Sequence, residues 1–273
     1  MQLQVFITAT TAMNNLLRNP INLTLIGPPG SGKGTYGKKL AANLRAILIS
    51  VGDLLRDHVR RKTVIGVEAA EAQQRGELVS DGIVTKAIYE YLRLSPRDVH
   101  NDVGVVFDGY PRTLQQAKLI SPEIPKTTDT GITMGHGQGM LISEKMHVHY
   151  AVSLQVPDDI CLKKALGRRT CTLCQKEINV CDINEFGYRM PPILPNNCPP
   201  RCDTHWKKRH DDTEEIILRR IHNFRSSAHP LLSFYEKKGK LINFQPFNGV
   251  DDLPVLEKIV RTTVGLEEGG KNR

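Results

Sequence analysis

The sequence has no apolar run that approaches the roughly 20 residues needed to span a bilayer. Aromatic residues make up only 5% of its 273 positions. The formal net charge is +8, which suits nucleic-acid binding, small anionic ligands or import into an organelle. Since the charge is spread along the chain and aromatic side chains that could stack on bases are few, we expect small anionic ligands and neither a nucleic acid nor a membrane as partner.

Cysteine is absent from the first 160 residues, and all six cysteines lie between Cys161 and Cys202. A disulfide framework for the whole chain would need cysteines throughout it. The distribution therefore indicates that the cysteines serve one local part of the structure.

Acidic residues are absent from the first 19 positions, which contain several threonines and one arginine. Acid-poor, hydroxyl-rich leaders are typical of mitochondrial transit peptides, although these usually contain more arginine. A flexible N-terminal extension over residues 1–20 fits the pattern equally well. We therefore expect a cytoplasmic or a mitochondrial location.

Short apolar segments alternate with helical patterns along most of the chain. We predict a helix at Tyr36–Arg45. The predicted strands are Ile21–Ile26, Ala46–Ser50, Val103–Phe107, His149–Val156 and Leu241–Phe244. Such alternation predicts a parallel sheet with helices on both faces, which binds ligands at the carboxyl ends of its strands.

Two segments break this alternation. Residues 121–146 are rich in proline, threonine and glycine and predict a long surface loop. Residues 168–210 hold most of the cysteines and show little periodicity, which predicts a small inserted module.

A glycine-rich segment, LIGPPGSGKGT, follows the first predicted strand. Its residues Gly27–Lys33 satisfy the pattern G-x-x-x-x-G-K between a strand and a helix, the context in which such a loop binds phosphate. Glycines allow backbone N–H groups to surround phosphate oxygens, and Lys33 adds a positive charge. The alternative is an ordinary glycine-rich turn. The candidate phosphate-binding residues are Gly30, Ser31, Gly32, Lys33, Gly34 and Thr35.

The general pattern has serine or threonine directly after the lysine, but this chain has Gly34 there and the hydroxyl one position later, at Thr35. The form GxPGxGKGT is that of nucleoside monophosphate kinases. From about Asn22 to about Lys258, apart from residues 121–146, the chain resembles adenylate kinases of the long-lid form.

Three further motifs carry this resemblance in the first half of the chain. SVGDLLR (Ser50–Arg56) is similar to the family's STGDLLR, and FDGYPRTLQQA (Phe107–Ala117) is similar to LDGFPRTxxQA. RGELVSDGIV (Arg75–Val84) matches the segment that borders the acceptor base.

The resemblance implies a role for each residue in these motifs. Asp108 would hold Mg²⁺ through its water shell, as suits a carboxylate and a hard cation. Arg112 would bind the acceptor phosphate, and Gln116 would read the base edge. Taken alone, Asp108 could begin a turn, and the other two could lie on an exposed helix face. The implied AMP-binding residues are Val51, Arg56, Glu77, Leu78, Val79, Gly109, Arg112, Gln116, Arg209 and Arg220.

Val51 departs from the family, which usually has threonine at this position. Valine cannot form a side-chain hydrogen bond, so we expect acceptor selectivity to be relaxed. Because a neutral hydrogen bond contributes about 1 kcal/mol, restoring it with Val51→Thr would sharpen the preference for AMP by less than about tenfold.

The second half of the chain resembles the family's lid. LKKALGRRTC (Leu162–Cys171) is similar to DRIVGRRVC, and KRHDDTEEIILRRI (Lys208–Ile221) to QRDDDxxxxxxxRL. By this resemblance Arg168, Arg209 and Arg220 face the phosphates. Lys164 falls where the family has an arginine that stacks on the donor base, and lysine stacks poorly. Asp211 and Asp212 fall on the family's paired acids at the lid exit.

Two cysteine pairs lie within the lid, Cys171-x2-Cys174 and Cys198-x3-Cys202. Four thiolates with this pairing suit a closed, tetrahedral structural zinc site. His205 is a possible substitute ligand. The alternative is that the cysteines are reduced and metal-free. A zinc ribbon that binds nucleic acid is disfavoured, since residues 177–197, which lie between the pairs, include one basic side chain, Arg189.

The sequence thus predicts an α/β protein with the P-loop NTPase fold, a five-stranded parallel sheet with helices on both faces, and two insertions. The predicted divisions are an extension (1–20), a CORE domain (21–51, 81–167 and 211–265, with a loop at 121–146), a monophosphate-binding domain (52–80), a zinc-type LID (168–210) and a tail (266–273).

The implied function is reversible phosphoryl transfer, ATP + AMP to 2 ADP, by a monomer that uses Mg²⁺ and carries structural Zn²⁺. The implied catalytic residues are Lys33, Asp108, Arg112, Arg168, Arg209 and Arg220. The alternatives are a GTP:AMP phosphotransferase and a non-catalytic nucleotide-binding protein.

Overall fold

A five-stranded parallel sheet forms the centre of the protein. The computed structural model describes residues 20–75, 77–94, 103–120, 147–174, 176–194 and 205–266. The sheet has the strand order β10-β4-β1-β3-β2, with every neighbouring pair parallel. Its strands are β1 (Leu23–Ile26), β2 (Ile47–Ser50), β3 (Val105–Asp108), β4 (Tyr150–Leu154) and β10 (Leu241–Phe244). The predicted α/β fold is confirmed.

Helices cover both faces of this sheet. Side chains alternate along β3, so that Phe107 lies in a buried cluster with Ile88, and Val106 lies in another cluster with Leu40 and Leu256. The helices are α1 (Lys33–Asn43), α2 (Val51–Arg60), α3 (Val64–Arg75), α4 (Asp81–Leu94), α5 (Leu114–Leu119), α6 (Asp158–Leu166), α7 (Glu214–Lys237) and α8 (Leu253–Thr263).

The first helix begins earlier than its sequence indicates. A start at Tyr36 was expected, but α1 starts at Lys33, directly after Gly32. The first turn contains Lys33, Gly34 and Thr35, which have no apolar side chain from which a helical period could be recognised. The helix N-terminus therefore lies against the glycine loop itself.

The register of the strands brings three chain segments to one edge of the sheet. Asp108, the last residue of β3, pairs with Leu25 of β1 on one side and with Ser50 of β2 on the other. The glycine loop follows β1 at the same edge. Three segments far apart in sequence thus meet where a parallel sheet binds ligands.

The inserted module around the first cysteine pair consists of short antiparallel strands. Strands β5 (Arg168–Cys171), β6 (Glu177–Asn179) and β9 (Trp206–Lys207) form a sheet in the order β6-β5-β9. Strands β7 (Ile183–Glu185) and β8 (Tyr188–Met190) form a hairpin. The hairpin residues Ile183 and Tyr188 share a buried cluster with Ile160 of α6 and Ile217 of α7.

Several sequence predictions fall outside the described residues, namely the loop at 121–146, the extension up to residue 19 and the tail from residue 267. Within the described ranges, none of the helices combines the length and the apolar character that crossing a membrane requires.

Candidate active site

The glycine loop packs directly on the backbone of α6. Gly30 and Gly32 have φ angles of 84° and 93°, in the left-handed region that other residues rarely adopt. A Cβ atom at Gly30 would lie 2.0 Å from the carbonyl oxygen of Cys161. A side chain at position 30 is excluded on both grounds, so the loop offers the bare backbone that a polyanion needs.

Lys33 folds back over this loop. Its Nζ atom donates hydrogen bonds to the carbonyl oxygens of Gly27 at 2.7 Å and Pro28 at 2.8 Å. Burial of the ammonium away from bulk water lowers the pKa of Lys33 to about 8. The nearby carboxylate of Asp108 opposes this shift, and the charge of Arg112 adds to it. An anionic ligand beside Lys33 would stabilise its charged form.

Asp108 lies against the start of α1. The Ser50 hydroxyl donates to its Oδ2 atom at 3.5 Å. A Cβ atom at Gly34 would come within 3.2 Å of the same carboxylate oxygen, so the departure from the general loop pattern at this position has a steric reason. Asp108, Ser50 and Thr35 all line one cavity. One carboxylate and two hydroxyls suit a Mg²⁺ ion that keeps several of its waters.

Four arginines of this cavity are held by carboxylates. For Arg56, Arg209 and Arg220 the acid accepts a hydrogen bond that fixes the direction of the guanidinium group and leaves some of its five N–H donors for a ligand. Arg168 forms only a longer ion pair. The pairs are Arg56 with Asp53 at 2.5 Å, Arg168 with Asp212 at 3.8 Å, Arg220 with Asp211 at 3.0 Å, and Arg209 with Glu177.

Arg112 differs from these four arginines. Its Nε atom donates to the carbonyl oxygen of Gly109 at 2.9 Å. Burial, and secondarily the neighbouring Arg220, lower the pKa of Arg112 to about 10. In the described part of the chain neither Arg112 nor Lys33 forms an ion pair with a carboxylate. The cavity thus holds two half-buried cations whose only hydrogen-bond acceptors are carbonyl groups.

The cavity has a volume of about 280 Å³, and most of the residues expected in a site lie on its wall. All six residues predicted to be catalytic line it. So do all eight predicted to bind the donor nucleotide, which are the six candidate phosphate-binding residues of the glycine loop together with Lys164 and Arg168. The acceptor-site residues that line it are Arg56, Glu77, Leu78, Gly109, Arg112, Arg209 and Arg220. The other three, Val51, Val79 and Gln116, are buried and do not line it.

Val51 lies beneath the cavity. It is the first residue of α2 and is 1% exposed, in a buried cluster that includes Leu55 and Ile65. Its neighbours in sequence, Ser50 and Gly52, line the cavity. This placement gives no support to a role for Val51 in reading a base.

Gln116 is also buried, but hydrogen bonds hold its amide in one orientation. Its Oε1 atom accepts from the backbone N–H of Arg112 at 2.6 Å, and its Nε2 atom donates to Asp81 at 2.7 Å. The Thr113 hydroxyl donates to the second oxygen of Asp81 at 3.0 Å. The alternative in which Arg112 and Gln116 lie on an exposed helix face is wrong, since Gln116 is 2% exposed.

Sequence reasoning missed Asp81. It is the first residue of α4, where an acid is normally explained by its interaction with the helix dipole. Its place within RGELVSDGIV, close to the expected base-binding segment, was the available signal.

The first cysteine pair lies at a turn between antiparallel strands. Cys171 ends β5, and its N–H donates to the carbonyl oxygen of Lys176 at 3.0 Å. The next residue, Thr172, donates its N–H to the carbonyl oxygen of His205 at 3.0 Å. Cys198 and Cys202 lie outside the described residues, but the chain that follows them pairs with β5, where Cys171 is opposite Trp206.

Comparisons with known proteins agree on one family. The family model described as adenylate kinase matches residues 25–240. An adenylate kinase of Methanothrix thermoacetophila is 34% identical over 233 residues, which cover 85% of this chain and 93% of the relative. A GTP:AMP phosphotransferase of Plasmodium falciparum is 31% identical over 235 residues, covering 85% and 92%. Adenylate kinase 1, chloroplastic, of Arabidopsis thaliana is 31% identical over 238 residues, covering 85% and 74%.

Proposed function

Because the chain belongs to the adenylate kinase family, we propose that the residues of this cavity catalyse reversible, Mg²⁺-dependent phosphoryl transfer from ATP to AMP, which gives two ADP. The observation that carries this proposal is the pair of cations, Lys33 and Arg112, that lie on the wall of one cavity and form no ion pair with a carboxylate of the described residues. A polyphosphate would supply the missing negative charge.

The transfer needs positioning and charge neutralisation, with no covalent intermediate on the protein. An oxygen of the AMP phosphate attacks the γ-phosphorus of ATP, and the bond from that phosphorus to the β–γ bridging oxygen breaks. The electrons of the broken bond stay on the departing ADP. Lys33 and the arginines neutralise charge on the oxygens throughout, and Mg²⁺ when bound supplies further positive charge next to Asp108.

Contacts among three chain segments enclose the reacting groups. Glu177 of β6 accepts a hydrogen bond from Lys38 of α1 at 2.5 Å and also binds Arg209. Arg209 lies 3.7 Å from Asp53 of α2. These contacts support the proposed division into a CORE, a monophosphate-binding segment at 52–80 and a LID at 168–210, which together exclude water from the donor.

A purely nucleotide-binding protein is the less favoured alternative. Binding one nucleotide does not require arginines from α2, β5, α7 and the loop after β3 to converge on the same cavity. Convergence from several sides suits a group that passes between two phosphates.

We also propose that the protein is a monomer and that it has no nucleic-acid partner. We further propose that it is located in the cytoplasm or in mitochondria. The location rests on the acid-free first 19 residues, and the lack of a nucleic-acid partner on the low aromatic content. Imaging of the full-length chain fused at its C-terminus to a fluorescent protein would test the location.

The LID is proposed to bind one structural zinc ion through Cys171, Cys174, Cys198 and Cys202. Support comes from the turn after Cys171 and from the pairing of β5 with β9, the strand that follows the second cysteine pair. Four thiolates from two closely spaced cysteine pairs suit a closed tetrahedral site.

Metal analysis of the purified protein should find about one zinc per chain. We expect Cys171→Ser and Cys174→Ser to lose the metal and to lower the melting temperature more than kcat, because a closed site does no chemistry. Cys181→Ser, outside both pairs, is the matched control and should keep the zinc. A native protein that is free of zinc and in which all four thiols titrate would contradict the proposal.

Asp81 is expected to position Gln116. In Asp81→Asn one carboxylate oxygen becomes an amide nitrogen, which cannot accept a hydrogen bond from either Thr113 or Gln116. Either Thr113 or Gln116 then loses its acceptor at position 81, and Gln116 is held less firmly, with only the backbone N–H of Arg112 fixing its Oε1 end. We expect the KM for AMP to rise roughly fivefold and the preference for AMP over GMP to fall, with little change in kcat.

Steady-state kinetics with AMP and GMP would measure this effect. Glu68→Gln, an exposed acid-to-amide change on the neighbouring helix α3, is the control. An unchanged ratio of AMP to GMP in Asp81→Asn would show that Asp81 supports the fold alone.

A further inference from the structure

Lys164, near the end of α6, is a buried cation on the wall of the cavity. It is only 9% exposed, and its backbone carbonyl oxygen accepts a hydrogen bond from the Asn179 amide at 2.7 Å. Across the described ranges of the chain, its ammonium group forms no hydrogen bond and no ion pair. Burial of an ammonium group without an acceptor costs free energy, and a ligand that provides an acceptor would offset this cost.

The cavity wall near Lys164 includes apolar side chains and hydrogen-bonded backbone groups, while Asp182, which attracts the ammonium electrostatically, does not line the cavity. Met190, Pro191 and Ile193 provide apolar surface. The backbone N–H and carbonyl groups of Ile193 are both paired with Asn179, at 2.8 and 2.9 Å. The wall therefore offers the Lys164 ammonium as a donor beside a surface on which a flat ring can lie.

Two backbone acceptors on the far side of this wall are also engaged. The Gly249 carbonyl oxygen accepts from the Tyr36 hydroxyl, and the Val250 carbonyl oxygen accepts from the backbone N–H of Leu253. A base amino group entering here would have to share an acceptor that already has a partner.

This wall adjoins the glycine loop. The carbonyl group of Cys161, one turn before Lys164 on α6, lies against Gly30. Tyr36, which reaches Gly249, is in the first turn of α1 after Lys33. A triphosphate held by the loop would consequently place its nucleoside next to Lys164.

We propose that the Lys164 ammonium donates hydrogen bonds to the 6-oxo group and N7 of the donor base, so that the donor site takes 6-oxopurine nucleoside triphosphates, GTP and ITP, at least as well as ATP. An ammonium group has three donors and no acceptor. Guanine and hypoxanthine present two adjacent acceptors, O6 and N7, whereas adenine presents a donor at position 6. The proposal rests on the phosphotransfer reaction above and names the base class of its donor.

The test compares ATP, GTP and ITP as donors to saturating AMP, with kcat/KM measured for the wild type, Lys164→Met and Lys163→Met. The wild type should use GTP and ITP with kcat/KM values equal to or above that of ATP. Lys164→Met should lower both the GTP-to-ATP and ITP-to-ATP ratios by about tenfold, as loss of a hydrogen bond from a charged group predicts.

Lys163→Met is the matched control, since its ammonium binds Glu185 at 2.5 Å, and it should leave both ratios unchanged. Wild-type kcat/KM values for GTP and ITP below that for ATP would overturn the inference, even if Lys164→Met did not fold. Unchanged ratios in a folded Lys164→Met would overturn it too. In both cases transfer from ATP would remain, whereas no transfer from any donor would contradict the proposed function itself.

Discussion

Replacing Lys33 with methionine is expected to lower kcat by at least about 10³-fold without lowering the melting temperature of the ligand-free protein. The loss follows from the position of the ammonium, which lies over the glycine loop that is expected to bind the polyphosphate. The stability expectation follows from its pKa of about 8, which shows that the surroundings disfavour the charged form.

The matched control for this variant is Lys39→Met, a change of an exposed lysine on the same helix. It should keep wild-type turnover. Unchanged turnover in Lys33→Met would show that the glycine loop does not bind the reacting phosphates. A large fall in melting temperature would show that Lys33 supports the fold.

Arg112→Met should lower kcat by roughly 10²- to 10³-fold, the usual effect of removing one donor from a site of developing negative charge. Since Arg112 forms no ion pair with a carboxylate in the described part of the chain, its removal leaves none of those acids unpaired, and we expect the melting temperature to stay the same or to rise. Arg220→Met, by contrast, would leave Asp211 unpaired and should destabilise the fold.

Arg112→Lys separates charge from geometry. It keeps the positive charge but loses the planar pair of donors, so we expect it to recover only part of the lost turnover. Arg93→Met, an exposed change near the end of α4, is the control for the substitution itself. Wild-type kcat in Arg112→Met would exclude the proposed role in phosphate binding.

The glycine loop and Asp108 were predictable because their patterns are local. A glycine-rich segment between an apolar strand and a helix is recognisable from sequence alone, and the parallel arrangement of the strands brings Asp108 to the same edge. The pairing of Ser50 with Asp108 could not be predicted in the same way, because it depends on the strand order, which no single segment of the sequence encodes.

Residues whose role depends on side-chain direction were harder to predict. Val51 stands at the start of α2, and whether it faces the cavity or the core depends on how that helix leaves the sheet. In the structure it faces the core. Gln116 was expected at the base edge, but its contact with Asp81 joins residues 35 positions apart. No local pattern indicates such a contact.

The LID strands could not be predicted for a different reason. Strands β6, β7 and β8 have three residues each, and β9 has two. Such lengths are too short to show the alternation of apolar and polar residues by which a strand is recognised. The cysteine spacing and the resemblance to the family's lid were the signals that this segment forms a structured module.

Phosphoryl transfer from ATP to AMP is tested most directly by the stoichiometry of the reaction with ATP, AMP and Mg²⁺, followed by ³¹P NMR. We expect two ADP to form for each ATP consumed, no inorganic phosphate to be released, and ATP to be stable when AMP is omitted. Release of inorganic phosphate without AMP, or no formation of ADP with both nucleotides present, would contradict it.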